Sequence, residues 1–129
     1  MPTLRLVALT LGASLLAACT PAEVTPTAPM ALDGTTLTVE PLPQQPCDPA
    51  LPYAVRVRWS VTDWADPKFD FHLRSNQGQL WVRANEAEGE STSDAFVTPG
   101  LYFVMVDRIS RQIVAATPAP ALECPAASR

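Results

Sequence analysis

The stretch "YAVRVRWSV", residues 53–61, alternates large apolar residues with charged or small ones. Tyr53, Val55, Val57, Trp59 and Val61 share one face, and Ala54, Arg56, Arg58 and Ser60 share the other. A period of two belongs to a strand, whose successive side chains point to opposite sides; a helix would repeat every 3.6 residues. One apolar and one charged face predict an antiparallel strand packed on a core on one side and wet on the other. The device returns in "FDFHLR" (69–74), with Phe69, Phe71 and Leu73 inward and Asp70, His72 and Arg74 outward. "QLWVRA" (79–84) reads as a third strand and "DAFV" (94–97) as a short fourth. "LYFVMV" (101–106) is apolar on both faces, as a central strand covered on both sides would be, and "QIVAA" (112–116) returns beside it through "DRISR". "TTLTVE" (35–40) supplies an edge strand ahead of them all. Turn signals such as "DPALP", "ADPK", "NQG" and "TPG" separate these runs. About seven short strands with no helical stripe among them predict an all-β, two-sheet sandwich.

Three of these runs carry a resemblance. Val57-Arg58-Trp59, then Phe69-Asp70-Phe71, then Thr98-Pro99-Gly100-Leu101-Tyr102-Phe103-Val104 resemble a fibronectin type III or related immunoglobulin-like domain, spanning 32–124. The resemblance implies that Trp59, on the second strand, packs across the core onto the third and sixth strands. It also implies a structural tyrosine at Tyr102, which shares parity with Val104 and Val106, so that all three face inward. Two departures stand out. The turn before Tyr102 is one residue shorter than the usual Pro-Gly-Thr-x-Tyr form, and Cys47 and Cys124 flank the sandwich where an antibody domain would place cysteines across its core.

The N-terminus carries a second resemblance. After Arg5, no charge interrupts Leu6 to Ala18, a run too short for a spanning helix of about 20 apolar residues but suited to a secretory signal. Leu16-Ala17-Ala18-Cys19 closes it and resembles the lipobox of bacterial lipoproteins. That resemblance implies a signal peptide over 1–18, a diacylglyceryl thioether on Cys19, and anchorage in a membrane; with Thr20 rather than aspartate after the cysteine, it implies the outer membrane. An ordinary signal peptide cut after Ala18 is the competing reading. Export into an oxidising compartment makes a Cys47–Cys124 disulfide the simplest use of the other two cysteines, and two cysteines without a nearby histidine make a poor zinc site. Residues 20–31, "TPAEVTPTAPMA", hold three of the 14 prolines and read as a tether with Cys19 at its head (19–31). Extended, it would reach about 35–40 Å. Residues 125–129 read as a loose tail.

Nine basic and thirteen acidic residues give a formal net charge of −4, which argues against a nucleic-acid partner. If the strands at 69–74 and 79–84 are neighbours, His72, Arg74, Trp81 and Arg83 share an outer face. Tryptophan and arginine are enriched at binding hot spots, although arginine also stacks on tryptophan without any ligand. Trp64, in the loop "SVTDWADPK", either plugs the end of the core or meets a partner; Ile109, at the tip of "DRISR", is a further loop contact. Glu86-Ala87-Glu88-Gly89-Glu90 is the densest acidic run, but it lacks the D-x-[DN]-x-[DN]-G spacing of a calcium loop and reads as a solvated turn. Five glycines leave little scope for phosphate-cradling loops, and the single histidine, His72, has no nucleophile signature around it. The chain therefore reads as a non-enzymatic envelope protein without cofactor or metal. Its partners are the membrane, through the lipid, and a protein that it binds or scaffolds. An inhibitor or immunity protein for a periplasmic enzyme or toxin is the alternative. A carbohydrate-binding module is a third, provided Trp64 and Trp81 stand exposed together.

Overall fold

In the computed structural model, residues 22–125 are described. The leader 1–18, Cys19 and the last four residues of the expected tail lie outside them. No helix occurs among the described residues. Eight strands run in chain order: β1 (Met30–Ala31), β2 (Thr35–Pro41), β3 (Val55–Val61), β4 (Phe69–Leu73), β5 (Leu80–Ala84), β6 (Glu88–Thr92), β7 (Tyr102–Asp107) and β8 (Ile113–Pro118). They form two antiparallel sheets with orders β1-β8-β7-β4-β5 and β2-β3-β6.

The alternation of residues 53–61 produces the core it promises. Val55, Val57, Trp59 and Val61 are buried while Arg58 is exposed. Trp59 stacks at 4.8 Å on Phe71 of the opposite sheet, and its indole N–H donates to the Glu86 carbonyl at 3.1 Å. Leu37, Phe69, Phe103 and Met105 complete this inter-sheet layer. Burying each such side chain stabilises the fold by about 1.5–3 kcal/mol before chain entropy is subtracted.

Four expectations change. First, "DAFV" is not a strand: only Val97 bridges, to Tyr53. The sixth strand is β6, drawn from the run read as an acidic turn. Its residues have poor strand propensity, but β3 supplies what they lack. Glu90 accepts from Arg58 Nε at 3.1 Å, and Gly89 sits opposite Trp59, where a Cβ would fall 2.6 Å from the ring. Second, Tyr102, Val104 and Val106 face away from the inter-sheet core; Phe103 and Met105 take the inner side. With both faces of β7 apolar, its own sequence carries no parity signal, and pairing to β4 and β8 decides. Third, Asp70 is outward but not wet: Arg108 Nε at 2.9 Å and Arg83 Nε at 3.3 Å close over its carboxylate.

The fourth concerns the expected tether. Its described part, 22–31, is docked. Val24 N–H donates to Asn76 Oδ1 at 2.7 Å, Asn76 N–H returns to the Val24 carbonyl, and Ser75 Oγ donates to Glu23 at 2.9 Å. Further along, Met30 and Ala31 pair antiparallel with Ala116 and Ala115 on the edge of β8. Composition alone read this segment as unstructured; its anchoring comes from backbone groups and two short polar side chains, which hydropathy does not register.

The Cys47–Cys124 disulfide forms, with its Cα atoms 5.6 Å apart. It ties the C-terminal segment to the β2–β3 loop. Tyr53 Oη donates to the Pro120 carbonyl beside it.

Candidate functional site

Antiparallel connection sorts the loops into two ends. The β2–β3 loop, the β4–β5 turn, the β6–β7 loop, the C-terminal segment and the docked residues 22–26 gather at one end. The β1–β2, β3–β4, β5–β6 and β7–β8 connections gather at the other. A groove of about 1020 Å³ opens at the first end, between residues 23–25, the β4–β5 hairpin and the β6–β7 loop.

The groove is lined by apolar and polar side chains together. Leu80 and Phe96, each 39 % exposed, line it with Trp81 and Leu101. Arg74, Glu23 and Asp94 stand among its polar lining. The β4–β5 turn builds one wall and is held tightly. His72 Nδ1 donates to the Gly78 carbonyl at 2.8 Å, and Leu73 N–H donates to the Gln79 carbonyl. Glycine is obligatory at 78, since a Cβ there would run into the Leu73 carbonyl. Arg74 adopts φ +77°, a left-handed conformation that costs a residue with a Cβ on the order of 1–2 kcal/mol.

The four residues expected on one outer face are distributed differently. A register shift between Phe71 and His72 turns Trp81 toward the core, where it meets Phe103 edge-on at 5.1 Å. His72 stays on the outer face, half-buried and bonded to the turn. Arg83 is engaged with Asp70. Arg74 and Trp81 meet at the groove; His72 and Arg83 do not line it. Trp64 packs at 5.7 Å on Phe69 at the opposite end, so the two loop-proximal tryptophans are not brought together. Ile109, 61 % exposed, caps the β7–β8 hairpin at that far end. Its tip is braced by Asp107, whose carboxylate accepts from Ile109 N–H at 3.2 Å and from Ser110 Oγ at 2.7 Å.

The groove was missed in the sequence because Leu80 and Phe96 look like ordinary strand residues. Among the described residues, no group of three or more His, Cys, Asp or Glu side chains is placed to hold a metal ion. The chain matches no known protein-family model, no curated protein and no solved structure.

Proposed function

We propose that the chain is a lipid-anchored envelope protein whose β-sandwich works as a protein-interaction module, with the groove beside Leu80, Trp81 and Phe96 as its contact. The observation that carries this reading is the exposure of Leu80 and Phe96 in a walled groove, since large apolar side chains gathered in one concavity mark binding sites more often than isolated ones do. Arg74 adds to it. Its side chain stands in the groove's polar lining, and its left-handed backbone at φ +77° shapes the wall there, as the same conformation shapes the turns at Asp63 and Arg111.

The fold behind the module is of the fibronectin type III or immunoglobulin-like kind. Support for that comes from the strand orders β2-β3-β6 and β8-β7-β4-β5, with β1 as an addition, and from Trp59 packing onto Phe71. The anchor rests on the resemblance of Leu16-Ala17-Ala18-Cys19 to a lipobox.

Cross-linking in intact envelopes followed by affinity capture tests the groove. Leu80→Ser and Phe96→Ser should each lose a partner that the wild type retains. Arg74→Gly should lose it too while gaining about 1 kcal/mol in urea unfolding, as glycine relieves the left-handed backbone. Retention of every partner in all three variants would remove the groove from consideration. The inhibitor reading has one observation in its favour, the braced hairpin tip with Ile109 outward, and predicts instead that Ile109→Asp alone abolishes capture.

A further inference from the structure

We infer that the docked segment 22–31 orients the domain on the membrane, holding the groove end against the lipid surface and the Trp64–Ile109 end away from it. This rests on the reading of Cys19 as the lipidated residue. A free tether over 20–31 would let the domain tumble at a distance of tens of ångströms. The segment is instead fastened from Ala22 onward: the Ala22 carbonyl accepts from Asn76 Nδ2 at 3.2 Å, and the bonds at Glu23 and Val24 follow. Only Thr20 and Pro21 separate Cys19 from Ala22. Three Cα–Cα steps of 3.80 Å span at most about 11 Å. The acylated thiol therefore cannot stand far from the β4–β5 turn.

A second observation points the same way. Six large apolar side chains are exposed among the described residues: Val24, Met30, Leu51, Leu80, Phe96 and Ile109. Val24, Leu51, Leu80 and Phe96 belong to the end from which the chain runs back toward Cys19, and Ile109 alone belongs to the far end. Such a concentration suits the boundary between headgroups and acyl chains, where apolar side chains are favoured. Among the described residues, the same end carries Glu23, Asp48, Asp94 and Glu123 against the single cation Arg74, a net negative balance, so the surface it fits is one of zwitterionic lipid rather than an anionic one.

The test uses the full-length acylated protein reconstituted in phosphatidylcholine vesicles carrying a nitroxide on the headgroup. Tryptophan fluorescence should be quenched relative to nitroxide-free vesicles. Trp81→Phe should remove most of that quenching and Trp64→Phe almost none. Inserting ten Gly/Ser residues after Thr20 leaves the fold untouched and should cut the quenching at least twofold; Asn76→Ala should cut it less. Equal losses in the two tryptophan variants, or no change on insertion, would overturn the orientation while leaving the anchor standing. A purified chain that lacks the lipid mass on Cys19 and fails to float with vesicles would overturn the anchor, and the orientation with it.

Discussion

At the scale of single residues, the sharpest constraint is the contact between Gly89 and Trp59. The Trp59 ring occupies the space a side chain at 89 would need, and the ring cannot retreat, being stacked on Phe71 and bonded to Glu86. Gly89→Ala should destabilise the domain by about 1–3 kcal/mol through overpacking, read from the urea midpoint, with a shifted Trp59 emission. A midpoint within error of wild type would mean the indole has room to move. Asp70 makes a different demand. Its side chain is 3 % exposed, whereas Arg83 is 62 % exposed. Asp70→Asn leaves two guanidinium groups facing a neutral amide and should cost about 1–3 kcal/mol, because the carboxylate is buried while both guanidinium groups reach solvent. Arg83→Ala should cost under about 1 kcal/mol, because its charge is already solvated and Arg108 still covers the carboxylate. Parallel denaturation curves for the two variants check the asymmetry.

At the scale of elements, the strands legible in the sequence are those whose own side chains alternate or are uniformly apolar: the runs 35–40, 53–61, 69–74, 79–84, 101–106 and 112–116 each supply a strand, β2, β3, β4, β5, β7 and β8. The two that were not legible take their definition from a neighbour. β6 exists because β3 offers it arginines and a tryptophan face, and β1 because β8 has an open edge. The site suffered from the same cause. Parity placed Trp81 outward, and one register shift at Phe71/His72 turned it inward, which no local pattern announces. The disulfide, by contrast, was readable once export was assumed. It spans 77 residues, and on the chain-entropy view its loss through Cys47→Ser should destabilise by about 4 kcal/mol, less whatever enthalpic terms oppose. Differential scanning calorimetry of the variant against wild type measures this; a drop of only a degree or two in Tm would show that the C-terminal segment is held chiefly by Tyr53 and by the Ala119 backbone, which accepts from Gly100 N–H and donates to the Leu101 carbonyl.

At the scale of the whole molecule, one titration couples folding to alkaline pH. Tyr53 is fully buried, and that burial pushes its phenol above the ordinary 10.0. The unfolded chain therefore releases this proton first. Stability from Tyr53 is fully present below pH 10 and declines as pH climbs from there through the higher folded value. Unfolding in urea at pH 9 and pH 11 should show a lower midpoint at pH 11, and the difference in 295 nm absorbance titration between wild type and Tyr53→Phe should place the Tyr53 phenolate above pH 10. A Tyr53 phenolate forming at or below pH 10 in the folded protein would contradict the assignment.

The glutamates of β6 reach beyond their own strand. An edge strand offers unpaired backbone to any second sheet that drifts alongside, and that hazard grows when many copies share a two-dimensional surface. Glu88 and Glu90 stand along this rim, and Glu90 is anchored by Arg58 within the same molecule. Another copy approaching rim to rim would bring like charges together before any ladder could form. The run that looked least like a strand is thus the part that sets like charge along the free edge of the smaller sheet.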